Sequence, residues 1–522
     1  MPGGGLFSLV SYGTQNILLS GNPNFTFFYK NYKKYAHFAE ESITQPMDGP
    51  QELFYDQPIK VRLKIPRLGD LIRDMYFTFD LPDIYTKQFI PDPATRDAQY
   101  NFKWIRYIGC NIIQSIGFYI GGQKIQEFDG GYIQAKAQAD YTFTELEKWK
   151  TAVGDVPDLT DPANGVFATG TAHNMYPIVY PSPSETALNA NRPSIFGRTI
   201  TVPLPFWFTQ STFAALPLVA LQYTECEVQI YLRSIQELYQ INDASGNTVR
   251  PGFRLKKTIG EPMNPQYIAT SSITDVTIDN FLVDWGFPKP LIQSWQLNPR
   301  IQATFVYLTD DERKQFGSQT LQYLVRQITT YNLRDVIGRT IEELDTHNPL
   351  NRLLIVPRRS DSVTFRNDYA NYTNWINATT PPFIPAPAVV APDSTGLFIP
   401  VAGQQQILRT LRMLGDGNEL QEDKPIQYFT DIVHWKFMKG GFSERNLIVY
   451  PFGLNSPDDQ PDGSINSSRI RMLQVDINPY PLIGPSSANP IGSFYAYNFT
   501  IYVESLNWVT VKSGTGGLVY AL

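Results

Sequence analysis

Short runs of Val, Ile, Phe, Tyr and Thr, each closed after a few residues by Pro, Gly, Asn or Asp, recur along most of this chain. That rhythm narrows the fold more than any other feature. β-Branched and aromatic residues fit a pleated, half-buried surface, and the residues that close each run are those that turns need. With 40 prolines and 36 glycines in 522 residues, long uninterrupted helices have little room. Residues 59–65, 74–81, 112–120, 198–207, 223–232, 303–308 and 499–503 are predicted strands. In Met75-Tyr76-Phe77-Thr78-Phe79 the odd positions are apolar, which assigns them to one inward face.

Helices are expected at two places. Thr309 followed by Glu312 reads as a capping box that opens a short helix ended by Gly317, and this helix is the expected junction between two domains. Residues 135–149 are expected to form another, with Phe143, Leu146 and Trp149 on the face against a sheet. An internal echo supports two units. Pro58-Ile59-Lys60-Val61-Arg62-Leu63-Lys64-Ile65-Pro66-Arg67 resembles Pro349-Leu350-Asn351-Arg352-Leu353-Leu354-Ile355-Val356-Pro357-Arg358, each an apolar strand bounded by prolines. Residues 151–191, 242–265 and 376–400 read as long surface loops that tolerate insertion. Within the last, Pro381-Pro382-Phe383-Ile384-Pro385-Ala386-Pro387 has extended character, suited to a stiff spacer or to an aromatic groove.

Composition then excludes several kinds of chemistry. A net charge of -6 offers no field for gripping nucleic acid along the whole chain. The longest apolar run, residues 213–221, is interrupted by Pro217 and falls short of the ~20 residues a spanning helix needs. No positive start or long apolar stretch suggests a secretory signal, so the protein is expected not to be secreted. Cys110 and Cys226 are expected to be buried free thiols, and the five Asn-x-Ser/Thr sequons (Asn24, Asn371, Asn377, Asn466, Asn498) carry no weight outside the secretory route. The four histidines, His37, His173, His347 and His434, form no HxH or HExxH cluster, so no metal site is expected. Asp458-Asp459-Gln460-Pro461-Asp462-Gly463 imitates a calcium loop, but Arg469 stands where the bidentate Glu belongs. There is no phosphate loop and no nucleophile elbow, and Gly514-Thr515-Gly516-Gly517 has no following helix. No catalytic residue or cofactor is expected.

The opening is unusual in another way. Gly3-Gly4-Gly5 is too flexible to hold a strand unaided, yet Leu6, Phe7, Leu9, Val10, Ile17, Leu18 and Leu19 are too apolar for a solvated tail. Beyond them, Phe25, Phe27, Phe28, Tyr29, Tyr32 and Tyr35 interleave with Lys30, Lys33 and Lys34. Such a cluster suits a protein or membrane contact, a core with lysines at its surface, or single-stranded bases. The apolar residues and the three lysines together are the candidate inner-face contact.

Several blocks resemble one known family. They are Tyr12-Gly13-Thr14-Gln15, Gly21-Asn22-Pro23, Phe38-Ala39-Glu40-Glu41-Ser42-Ile43, Gly69-Asp70-Leu71-Ile72, Ile120-Gly121-Gly122-Gln123 and Leu204-Pro205-Phe206-Trp207-Phe208. Further along come Ala215-Leu216-Pro217-Leu218, Ala220-Leu221-Gln222-Tyr223, Leu308-Thr309-Asp310-Asp311-Glu312-Arg313, Tyr502-Val503-Glu504-Ser505-Leu506-Asn507-Trp508 and Ser513-Gly514-Thr515-Gly516-Gly517-Leu518. In this order they resemble the major capsid proteins of nucleocytoplasmic large DNA viruses. The resemblance implies an all-β fold of two tandem eight-stranded antiparallel jelly rolls with long loops and a few short helices. It implies an arm at 1–24, a first jelly roll at 25–312, a second at 313–512 and a tail at 513–522. It further implies a homotrimeric, pseudo-hexagonal capsomer that tiles an icosahedral shell in the virion, assembled in the host cytoplasm, and no enzyme. The implied partners are other copies of itself, minor capsid proteins, a penton protein and a nearby inner membrane, with no sequence-specific nucleic acid. The three long loops depart from the family's compact members, and Thr224 stands where the family usually has histidine. Jelly rolls also serve glycan-binding proteins and metal-dependent enzymes, which are the rival readings.

Overall fold

The structure, a computed structural model, describes residues 3–30, 32–85, 101–160, 193, 195–242, 248–251, 253–255, 267–269, 277–282, 293–374, 405–440, 446–454, 460–482 and 495–520. Its main strands fall into two similar sets, with three small sheets beside them. The first comprises β1 (Phe38–Pro46), β2 (Ile59–Lys64), β3 (Leu71–Leu81), β4 (Ile113–Ile120), β5 (Gln123–Phe128), β6 (Arg198–Pro203), β7 (Cys226–Leu232) and β8 (Arg300–Leu308). They form antiparallel sheets in the orders β1-β8-β3-β6 and β2-β7-β4-β5. The second comprises β9 (Leu321–Val336), β10 (Thr340–Leu344), β11 (Pro349–Arg359), β12 (Leu408–Gly415), β13 (Asn418–Pro425), β14 (Ile448–Pro451), β15 (Leu473–Pro479) and β16 (Tyr497–Lys512). Their orders, β9-β16-β11-β14 and β10-β15-β12-β13, repeat the first set strand for strand. First beside last, then third, then sixth is the double-sheet winding of a jelly roll, here made twice.

Period-two burial explains why these residues make these strands. In β2, Ile59, Val61 and Leu63 are buried while Lys60, Arg62 and Lys64 face solvent. Met75, Phe77 and Phe79 of β3 point into the core as the alternation predicts. A register shift at Thr304/Phe305 lets both Leu71 and Ile72 be buried at the other end of that strand. Every predicted strand is present. The one expected over 198–207 stops at Pro203 and gives way to a helical turn at Trp207–Gln210.

The internal echo proves to pair the wrong strands. Residues 58–67 form β2, on the edge of its sheet, whereas 349–358 form β11, whose topological counterpart is β3. The repeat lies in the winding. The helix expected over 135–149 is two helices, α1 (Gly130–Asp140) and α2 (Phe143–Val153). A capping box at Thr142 and Glu145 starts the second, and it leaves Phe143 exposed while Leu146 and Trp149 are buried. The junction helix α3 (Asp310–Ser318) stands between β8 and β9, and the division expected at 312/313 falls inside it. Its first turn lacks the Thr309 side-chain cap, and Gly317 lies within the helix instead of ending it. Arg313 holds it by pairing with Asp70 at 2.9 Å.

The expected tail at 513–522 includes a strand, Thr515–Leu518, that folds back onto β16. Gly514 turns it with φ +82, and a side chain there would strike the Tyr223 ring. Cys110 lies in a helical turn, Ile108–Asn111, not a strand. Both thiols are buried and free. Residues 161–192, most of the second long loop and 376–400 with its prolines lie outside the described residues, as do His173, Asn377, Asp458 and Asp459.

Glycine at 130 is imposed by packing: a Cβ there would lie 1.8 Å from the Cys110 carbonyl oxygen. Gly122 is in the left-handed region with open space around it. Gly130→Ala is therefore expected to cost about 3 kcal/mol or more, and Gly122→Ala about 1 kcal/mol. Urea unfolding followed by tryptophan fluorescence checks this; equal losses would show that the close approach at Gly130 is not what requires glycine.

Candidate functional site

β11 departs from the alternation seen in β2, since nearly every residue from Leu350 to Pro357 is buried. The reason is that its sheet is covered on both sides. Leu353 and Ile355, with Ile501 and Val503 of β16, face the second set's own core. Leu354, Val356 and Tyr502 face the other way and join the core of the first set. One hydrophobic core therefore crosses between the two jelly rolls.

Charged residues sit on that crossing face. Arg352 is cross-strand partner to Glu504 and shares the outward parity of Leu354 and Tyr502. α1 of the first jelly roll lies over them. Asp140 accepts from Arg352 at 2.5 and 3.0 Å and from Lys136 at 2.6 Å. The second Arg352 nitrogen also lies 2.8 Å from Glu504. The Tyr132 hydroxyl donates to Glu504 at 2.9 Å, and Arg326 stands 3.9 Å from the same carboxylate. At the helix start Asp129 accepts from the Tyr132 amide and from the Tyr502 hydroxyl, so one cap residue ties the helix to the partner sheet. Gly131 makes room there, because a Cβ would meet the Tyr502 oxygen at 2.5 Å.

Arg352 and Glu504 have fully buried side chains. Burial opposes ionisation of Asp140, but the Arg352 and Lys136 charges outweigh it and hold the carboxyl well below its ordinary range. Glu504 is likewise held low by Arg352, Lys136 and Arg326 against burial. Burial, with Glu504 beside it, pushes the Tyr132 phenol well above its ordinary value and keeps it a donor. Lys136 is pulled down by burial despite Asp140. Smaller ties flank this seam: Asn367 donates to the Gln236 and Tyr239 carbonyls, Gln240 to the Arg366 carbonyl, and Gln327 to that of Ile125.

Among the described residues, no group of three His, Cys, Asp or Glu side chains could hold a metal ion. His434 is buried, pulled down to about 4 by desolvation, and faces the Leu447 carbonyl at 3.1 Å. His37 and His347 are exposed elsewhere. An open recess of about 730 Å³ beside Trp508 and Tyr520 carries His347 and, among the described residues, no carboxylate.

The arm residues singled out in the sequence are not gathered by the fold. Leu6, Phe7, Leu9 and Val10 lie on a helix, Gly4–Val10, and Ile17, Leu18 and Leu19 on a helical turn, Ile17–Ser20. All seven are 56–93% exposed, and Lys30, Lys33 and Lys34 follow in exposed, irregular chain. The seam itself was missed in the sequence. Its signal was a Glu and an Arg inside otherwise apolar strands, but nothing local said that they meet.

Comparison with known proteins bears on what such a molecule does. A family profile described as "Major capsid protein N-terminus" matches residues 26–256. The chain is 26% identical over 385 residues to a major capsid protein of Chrysochromulina ericina virus, which covers 70% of this chain and 59% of that relative's length. It is 24% identical to probable capsid protein 4 of Acanthamoeba polyphaga mimivirus, over 99% of both chains. The fold matches a chain of the PBCV-1 virus capsid with a TM-score of 0.62 at 18% identity, covering 95% of this chain and 100% of that one.

Removing Arg352 alone would leave Glu504 without its closest cation and Asp140 with Lys136 only. Arg352→Met is expected to cost about 3–5 kcal/mol, and the fourfold change Arg352→Met, Lys136→Met, Asp140→Asn, Glu504→Gln much less; a fourfold variant as unstable as the single one would contradict this. Asp140 and Glu504 bind protons more weakly folded than unfolded. Their contribution is therefore whole above the ordinary carboxylate value of about 4 and is lost as pH falls below it. Denaturation midpoints should fall more steeply in acid for the parent protein than for the fourfold variant.

Proposed function

We propose that this chain, a relative of the major capsid proteins of nucleocytoplasmic large DNA viruses, is the structural subunit that tiles the shell of such a virus. It is a building block and not an enzyme. The observation that carries this reading is the doubled jelly roll, wound identically twice and joined through one core, in a chain similar to capsid proteins along nearly its whole length.

Each chain contributes two similar sandwiches, so three chains around a threefold axis give a hexagonal outline. That geometry supports a homotrimeric capsomer. Exposed large apolar side chains on the body, including Phe213, Tyr223, Ile337, Trp435 and Leu454, supply surface for contacts between copies. The low charged fraction, 18%, points the same way. The arm, residues 1–24, is the adhesive segment on the inner face, serving shell closure and not folding. Jelly rolls at 25–312 and 313–512, minor capsid and penton proteins as further partners, and assembly in the host cytoplasm complete the reading.

Sedimentation equilibrium at micromolar concentration should give trimers of the 59.2 kDa chain. A stable folded monomer would contradict the capsomer. Deleting residues 1–24 should leave trimers of normal thermal stability and sharply reduce closed particles; normal assembly, or failure to fold, would remove the arm's assigned role.

A further inference from the structure

We propose that the segment ahead of β1, the arm together with the residues that lead from it to β1, docks on the surface of an anionic lipid bilayer, a step that rests on the reading of the arm as an inner-face segment. Its aliphatic part comes first. At 100° per residue, Leu6, Phe7, Leu9 and Val10 share one side of the helix Gly4–Val10, with Ser8 and Gly4 opposite. None of the described residues covers that side, and Leu18 and Leu19 are about 90% exposed or more.

The aromatic part follows, with Phe25, Phe27, Phe28, Tyr29, Tyr32 and Tyr35 all exposed and Lys30, Lys33 and Lys34 among them. Aromatic rings with lysines favour the headgroup level of a membrane, where a ring can be half wet and an ammonium can reach phosphate. Charge is segregated to match. No Asp or Glu occurs before Glu40, although the chain as a whole is acidic at -6. A basic, acid-free, apolar segment on an acidic body is the charge pattern of a surface-seated anchor, attracted to acidic headgroups while the body is held off.

The geometry also limits the depth. A seven-residue helix is about 10 Å long, a third of the roughly 30 Å hydrocarbon core, so the arm lies in the interface and does not cross. Single-stranded nucleic acid would use the rings and lysines but leave the aliphatic side of Gly4–Val10 unused. A groove on another protein would cover the apolar residues without requiring the absence of acids.

The test is flotation of the full-length protein with vesicles of phosphatidylcholine alone or mixed with phosphatidylserine. Binding is expected to the mixed vesicles, weakening with salt, and not to the neutral ones. Lys30→Gln, Lys33→Gln and Lys34→Gln together should lower partition about 100-fold, and serine at Leu18, Leu19, Phe27 and Phe28 should abolish it while trimers persist. The proposal is overturned if the full chain ignores both vesicles, binds both equally, or binds as well without the three lysines. Particle closure of the arm-deleted chain separates the two readings. Lost closure without vesicle binding keeps the assembly arm and gives it a protein partner, whereas vesicle binding with normal closure keeps the lipid contact and removes the assembly role.

Discussion

A single buried guanidinium organises the molecule. Arg352 extends from the second jelly roll into the space beneath α1 of the first, and its charge is met on one side by Asp140 and on the other by Glu504. Withdrawing such a charge from water is costly, and here two carboxylates within 3.0 Å offset that cost. The consequence is directional. Apolar surfaces alone would let two sandwiches pack in several relative positions, since hydrophobic burial has no preferred orientation. An arginine that must reach two carboxylates on different elements allows one.

The rest of the interface follows from that arrangement. With α1 laid across β11 and β16, the sheet is covered on both faces, and its strands carry apolar residues at both parities. Asp129 caps the helix and holds the Tyr502 hydroxyl, so the backbone of one jelly roll is bonded through one side chain to the sheet of the other. Glycine at 131 lets the helix come close enough to Tyr502 for these bonds to form. Two sandwiches joined in this way share one core and one hydrogen-bonded seam.

The surface divides into regions with different duties. The body carries the acidic excess and scattered exposed rings, while the segment before Glu40 is basic and apolar with no acid. None of the described residues from 3 to 30 is buried. A part that contributes no burial to its own chain is free to serve contacts outside it.

Local pattern was enough to identify the strands. Alternation in residues 59–64 and 75–79 depends only on neighbours in sequence, and the end-to-end likeness to capsid proteins named the double winding. The apolar residues and lysines ahead of β1 could also be read from the sequence, and none of the described residues covers them. Tertiary structure alone decided the seam, the division of 135–149 into two helices, the hairpin at Thr515–Leu518 and the true repeat. The echo between 58–67 and 349–358 matched composition but joined strands that hold different places in their sheets. Arg352 and Asp140 are separated by 212 residues, and Tyr132 and Glu504 by 372. No local periodicity encodes a bond between positions so far apart, because a charged residue in an apolar strand signals only that a partner is needed. Which partner it finds is set by the path of the whole chain.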